Sequence, residues 1–310
     1  MKLTMAYVSV RTATLRPNTE LLFDVYVLYE ESYLRYRSAK ESFDHALLEK
    51  FRSKKVKKIY IPEEQEPSYL RYLDQALEQL QSSAIEVGAR AEFAQDTLKQ
   101  ESDNIGKSLE SEEAYRSSES RIHKVVDFML NEPKALAGML ASAGLSVDDS
   151  AHGSTVSSLA LAVGSASKQL EREELTDMAI AGLLHDTGLK PLGFDVTSTL
   201  SSIAKEKRVD FRRHPAVAVE QVAGKKFITP RVLRIIEDHE EFGAGAGFPG
   251  KKNYAKLGTD SRIFNLCDAF DHFSILAGKS PPECVDDFIG ARSDDFDLSL
   301  LEILEKQVKA

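Results

Sequence analysis

Four histidines and two aspartates recur at intervals from the middle of this chain onward: His152, the adjacent pair His185-Asp186, His214, His239 and Asp268. Imidazole and carboxylate together suit iron, manganese or zinc. The gaps between successive members are 33, 28, 25 and 29 residues. Each gap fits one helix out and the next one back, so a helical bundle could bring all six side chains together in its core. A carboxylate beside a histidine can touch two ions while its neighbour fixes one. Two ions roughly 3.5–4 Å apart can hold a phosphodiester and generate a hydroxide to attack it. Taken singly, each residue has an ordinary structural reading, because buried histidines and His-Asp neighbours are common. Context favours ligation. His185-Asp186 ends an apolar run and precedes Gly188, His214 lies between Arg212-Arg213 and Pro215, and His239-Glu240 precedes the glycine-rich stretch 243–250.

The elements that must position these residues follow from periodicity. From Ile122 to the C-terminus the pattern is almost entirely helical. Val125, Val126, Met129 and Leu130 form one apolar stripe, and Val156, Leu159, Ala160 and Val163 another. Leu175 to Leu183 reads as a buried helix running straight into His185-Asp186. Ahead of the bundle, Leu22 to Tyr29 and Lys57 to Pro62 read as strands, and Ser38 to Phe51 has helical spacing between them. Leu70, Leu73, Leu77 and Leu80 mark a further helix. The polar stretch from Ala89 to Ser120 has few large apolar residues and reads as a solvated connecting helix, with a partly mobile linker as the alternative. The expected organisation is a small α/β regulatory or sensory domain over residues 1–88, a helical connector over 89–120, and a helical metal-binding domain over 121–310. The fold class is mainly α.

Composition narrows the function. The 310 residues include 49 Asp/Glu and 40 Lys/Arg, for a net charge of −9. A general nucleic-acid binder wants a basic face, so no nucleic-acid polymer is expected as a partner. A small phosphorylated ligand in a local pocket stays compatible. The charge is uneven: residues 1–60 carry 12 Lys/Arg against 7 Asp/Glu, and residues 61–120 carry 5 against 14, which supports a boundary between them. Cys267 and Cys284 are too few for a disulfide framework and read as free thiols, the second in a loop. No apolar run approaches the ~18 residues of a membrane span, and no secretory pattern opens the chain. A cytoplasmic protein away from the membrane is expected.

The ordered set resembles the HD superfamily of metal-dependent phosphohydrolases, and within it the HD-GYP subgroup of cyclic di-GMP phosphodiesterases. Leu183-Leu184-His185-Asp186-Thr187-Gly188 matches LLHDxG, and Arg213-His214-Pro215 matches the later His-Pro step. Asp238-His239-Glu240 followed by Gly245-Ala246-Gly247-Phe248-Pro249 resembles HHE…DGxGYP. Arg262-Ile263 through Asp268-Ala269-Phe270-Asp271 resembles the final ARI…vaDxfDa segment. The resemblance covers about residues 120 to 310. It also departs from the pattern. Leu189 stands where the HDxGK lysine belongs, with Lys190 one place later. Asp238 replaces the first histidine of HHE, Glu241 is acidic where a basic residue often follows, the DG aspartate is absent, and Phe248 replaces the tyrosine of GYP.

The resemblance implies an all-helical HD-type bundle and a dinuclear centre. His152, His185, Asp186 and Asp268 would hold one divalent ion. Asp186, His214 and His239 would hold the second, with Asp238 in place of the missing imidazole. Iron or manganese is implied first, with zinc, nickel or magnesium as alternatives. A hydroxide bridging the ions beside Asp186 would attack phosphorus in line. Lys190 is the candidate to neutralise phosphate charge, Arg212 and Arg213 are further contacts, and Gly247 and Phe248 are loop contacts to base or phosphate. A third ion would draw on Asp148, whose plainer reading is a surface aspartate. His272, four residues after Asp268, reads as a residue at the edge of the site or an orienting partner. The implied activity is hydrolysis of cyclic di-GMP. Two alternatives stay open: a signalling or binding module that keeps its metal site, and a hydrolase of another phosphoester. Implied partners are cyclic di-GMP or a related nucleotide, a diguanylate cyclase or adaptor protein, and a second copy of the chain.

Overall fold

Alternating buried and solvent-facing residues build the N-terminal sheet. In β1 (Tyr7–Arg11), Val8 and Val10 enter the core between Tyr7, Ser9 and Arg11. A hairpin of β2 (Val25–Tyr29) and β3 (Ser32–Arg37) follows, then α1 (His45–Ser53) and β4 (Lys58–Pro62). The sheet order is β1-β4-β2-β3, antiparallel throughout. Helix α2 (Glu66–Leu77) lays Tyr69 and Tyr72 edge-on against Phe23, with ring centroids 5.5 and 5.4 Å away. Strands β1 and β3 are not among the expected ones, although β1 carries the alternation Tyr7-Val8-Ser9-Val10-Arg11; most of β3 is exposed.

This computed structural model describes residues 6–82, 84–132, 134–143 and 149–310. The chain divides into two compact units, residues 1–85 and 86–310. The second is a helical bundle. It opens with α3 (Val87–Asp103), α4 (Ile105–Ser108), α5 (Glu112–Asn131) and α6 (Ala135–Ala143). Next come α7 (Asp149–Ser167), α8 (Arg172–Leu184), α9 (Arg208–Phe211) and α10 (His214–Val222). It closes with α11 (Pro230–Asp238), α12 (Thr259–Ala277), α13 (Pro281–Arg292) and α14 (Leu298–Val308). Among the described residues, no helix is long and apolar enough to cross a membrane.

Helices α7, α8 and α12 pack on one another at the centre of this bundle. Glycines let α7 and α8 cross closely: a Cβ on Gly182 would lie 2.3 Å from Ser157 Oγ. Ser157 uses the approach to donate to Ala179 O across the crossing. Caps fix where the helices start. Glu171 and Glu174 form a capping box on α8, Thr229 caps α11 ahead of Pro230, and Ser280 and Glu283 box the start of α13.

The expected solvated connector is corrected here. Residues 89–120 belong to the second unit, and α3 packs against α6 and α7 with most of its surface buried. Its polar residues are buried because each finds a partner. Gln95 donates to Ser154 Oγ and accepts from Ser158, and Glu101 pairs with Arg121 at 2.5 Å. A sequence pattern that counts apolar residues sees a solvated helix; the bundle contains a hydrogen-bonded one. Cys284 is likewise buried in α13 rather than in a loop.

Candidate metal centre

Helix ends and one helix face bring the sequence-predicted ligands together. His152 lies in the first turn of α7. His185 and Asp186 occupy a 3-10 turn that continues α8, and His214 opens α10. His239 is the residue that ends α11, and Asp268 projects from the middle of α12. Gly188 makes the meeting possible. A Cβ there would lie 2.1 Å from His214 O and 2.8 Å from Ala218 N, so only glycine lets α10 rest on the His185-Asp186 turn.

All four imidazoles are oriented through Nδ1. His152 Nδ1 donates to Asp271 Oδ2 at 2.7 Å. His185, His214 and His239 donate to the backbone carbonyls of Gly182, Phe211 and Ile236 at 2.9, 2.8 and 2.8 Å. A carbonyl oxygen can only accept, so these Nδ1 atoms carry a proton, and the position left to a metal on each ring is Nε2. The lone pairs face each other: His152 Nε2 is 3.1 Å from His185 Nε2, and His214 Nε2 is 2.9 Å from His239 Nε2. Two lone pairs at that distance repel unless a proton or a cation lies between them. Two nitrogens at right angles on one ion, each about 2.1 Å from it, would be about 3.0 Å apart.

The carboxylates complete two groups. Asp268 Oδ1 is 3.1 and 3.2 Å from the Nε2 atoms of His152 and His185. Asp186 Oδ2 is 3.5 Å from both of those nitrogens, and its Oδ1 is 3.5 and 3.6 Å from those of His214 and His239. One carboxylate thus serves both groups, an oxygen to each. Among the described residues, both Asp186 oxygens and Asp268 Oδ1 are buried without a hydrogen-bond donor. Buried anionic oxygens left bare are costly, and a divalent cation is the group that satisfies them. The donor set therefore fits divalent metal.

Electrostatics agree. Burial alone would raise the pKa of Asp186, but His185, His239, His214 and His152 outweigh it and hold the carboxyl far below its usual range. Burial is outweighed again at Asp268, by His272, His185 and His152. Burial opposes charging His239, yet Asp186 and Asp268 push it up to about 9. Burial and the facing His239 drive His214 down to about 3.

The structure does not bring every expected residue here. Asp238 points away, its Oδ1 accepting from Lys252 Nζ at 2.5 Å. Glu240, two residues on, turns inward instead, with Oε1 3.7 Å from His214 Nε2, and burial pushes its pKa up to about 8. Because Asp238 still belongs to α11 and Glu240 follows its end, the helix terminus decides which acid turns inward. Lys190, Arg212 and Arg213 are exposed, and none lines the cavity beside the cluster. The family-like lysine position, Leu189, is buried with Val196, Phe211 and Phe248. Gly247 approaches its own chain rather than a ligand, since a Cβ there would lie 2.2 Å from Glu240 O. Phe248 does line the cavity and sits edge-on to His214 at 5.8 Å. Asp148 lies outside the described residues.

The cavity has a volume of about 460 Å³ and includes His239, Glu240, Asp268 and His272 in its wall. Its one basic side chain apart from the histidines is Arg292, which sequence reasoning missed. Nothing in the local sequence marks it; α13 delivers it from 24 residues beyond Asp268. Asp271, also missed, carries a readable signal, because it lies three residues after Asp268 and shares its helix face. Asn265, one turn earlier, donates to the carbonyls of Asp238 and Glu241 at 2.6 and 2.9 Å and so clamps the turn carrying His239. Asn265→Ala is expected to lower stability by about 1–3 kcal/mol by leaving two buried carbonyls bare. Denaturant unfolding checks this, and an unchanged midpoint would refute the clamp.

Comparison with known proteins supplies two matches. The family model described as "HD domain" matches residues 129–284. Among solved structures, the chain is similar to Bd1817, a HDG"Y"P protein from Bdellovibrio bacteriovorus. That likeness covers 98% of this chain and 100% of the other at 23% identity, with a TM-score of 0.80, and it establishes the HD-type helical fold. No curated protein matches.

Proposed function

This chain belongs to the HD domain family, and from that premise we propose that it is a dinuclear metal-dependent phosphodiesterase whose substrate is cyclic di-GMP. The observation that carries the reading is the pair of facing Nε2 lone pairs, joined by the two oxygens of Asp186. His152, His185, Asp186 and Asp268 would hold one ion, and Asp186, His214 and His239 the other, with Glu240 beside it. Two divalent ions bound there, iron or manganese first, would neutralise phosphate oxygens and make water nucleophilic near neutral pH. The chain's own residues do the rest. The Nδ1 hydrogen bonds lock the ring orientations, and Asp271 raises the basicity of His152. Phe211, Phe248 and Phe296 give the cavity aromatic walls that suit a nucleobase.

Arg292 is the proposed phosphate anchor. Its guanidinium is held over the rings of Phe242 and Phe296, 4.9 and 5.3 Å from their centroids, and its Nε donates to Asp295 at 2.5 Å. No acceptor among the described residues holds its terminal Nη atoms, so they are available to an anion. Arg292→Ala is expected to lower kcat/KM about 10- to 100-fold, chiefly through KM, with metal content unchanged. Unaltered kinetics would remove Arg292 from the reading.

The experiment that tests the function is elemental analysis of the purified protein together with an assay on cyclic di-GMP and a panel of linear and cyclic phosphoesters. Two ions with cleavage of cyclic di-GMP supports the proposal. A second reading rests on the outward placement of Lys190, Arg212 and Arg213, which leaves the cavity poor in cations. It is a metal-holding module with weakened catalysis, or a hydrolase of a smaller phosphoester. Two ions without turnover on any member of the panel supports the module. Partnership with a diguanylate cyclase or adaptor, a homodimer, a regulatory or sensory role for the N-terminal unit and a cytoplasmic location belong to the same proposal.

A further inference from the structure

We propose that His272 is itself a metal ligand, a third imidazole on the ion held by His152, His185, Asp186 and Asp268. The inference rests on the metal-centre reading above and goes beyond its ligand set.

Three observations converge. First, His272 Nε2 is buried and has no hydrogen-bond partner among the described residues, although it lies only 3.8 Å from Asp186 Oδ2. A histidine that merely packs at the edge of a site would satisfy that nitrogen with a neighbour or with solvent. Second, donor atoms of His152, Asp268 and His272 lie within 4.8 Å of one another. The His272 ring is stacked on that of His152, with centroids 4.3 Å apart and planes 8° from parallel. In this arrangement the two lone pairs run side by side, and a tilt of the His272 ring brings its Nε2 onto the ion that His152 faces. Third, α12 carries Asp268 and His272 four residues apart, on one helix face. Asp271, between them, holds Nδ1 of the ring on which His272 is stacked. One face of α12 thus supplies a donor, an orienting acid and a second donor.

The consequence is asymmetry. The first position would have five protein donors, near the six that such ions accept. The second would have three, with Glu240 at hand. His272 also forms part of the cavity wall. It would therefore shield the first position from the cavity, leaving the second with fewer protein donors, so the first ion would be held more tightly than the second.

The test uses the full-length protein, stripped by chelation and titrated with Co²⁺ under calorimetry and visible absorption. The wild type is expected to bind two ions of unequal affinity. His272→Ala is expected to weaken the tighter event at least about tenfold, to leave the weaker within about twofold, and to change the cobalt spectrum of the first equivalent only. Because His272 reaches the cavity, millimolar imidazole should restore the tight event in the variant. Circular dichroism and melting confirm that the variant is folded, and His272→Gln, which keeps the volume and offers a carbonyl oxygen, is expected to recover part of the affinity. Two events of wild-type affinity in folded His272→Ala would overturn the inference. Equal weakening of both events, without imidazole rescue, overturns it in favour of a packing role. A wild type that binds no ion overturns the metal centre as a whole.

Discussion

Asp186→Asn is expected to lower metal occupancy at both positions and to reduce phosphodiester hydrolysis at least about 10³-fold. The side chain keeps its shape but loses the charge that both groups share. Each Asp186 oxygen lies 3.5–3.6 Å from one pair of facing imidazoles, and neither has a hydrogen-bond donor. An amide would set an NH₂ toward one group, where Nε2 atoms and a cation are gathered. Loss of an orienting partner outside the ligand set typically costs 10- to 100-fold in metal affinity, so loss of the shared ligand should cost more than about 100-fold. Elemental analysis and a hydrolysis assay on the same sample check this. An Asp186→Asn protein that retains two ions would disprove the bridging role.

Removing the metal is expected to abolish turnover and lower the melting temperature by roughly 5–10 °C. A ligand that binds the folded state at 100 times its Kd contributes about 2.7 kcal/mol. In a domain of this size 1 kcal/mol corresponds to about 2–4 °C. The sign follows from the site. His152, His185, His214 and His239 converge only in the folded bundle, so the ions stabilise it and not the unfolded chain. The helices themselves should persist on chelation, because α7, α8 and α12 pack through Val156, Leu159, Ile180, Phe264 and Phe270 rather than through the metal. Calorimetric scans with and without chelator, with circular dichroism, check both parts. Identical melting curves for metal-loaded and stripped protein would contradict the reading.

The candidate ligands were legible because few residue types can do such work and because their order carries information. An apolar run that ends in His-Asp-x-Gly can be read without coordinates, and the 25- to 33-residue gaps already imply helices that return. The cations were not legible. Lys190 and the pair Arg212-Arg213 are close to the ligands along the chain, yet they turn to solvent. Arg292 is remote along the chain, yet it enters the cavity. Helix α3 was misread for a related reason: Gln95, Glu101 and Arg90 count as solvated residues until partners from other helices are known.

By itself, then, the sequence determined the helical bundle, its small α/β partner, and the four histidines and two aspartates at the centre. Those depend on residue type and spacing, which are written locally. Only the tertiary structure decided that Glu240 and not Asp238 faces His214, that Arg292 and not Lys190 reaches the cavity, and that His272 lies stacked on His152 with a bare nitrogen. The physical reason is rotational. On a helix each residue turns by about 100° from its neighbour, so where a helix ends and what it packs against sets which of several adjacent side chains enters the site.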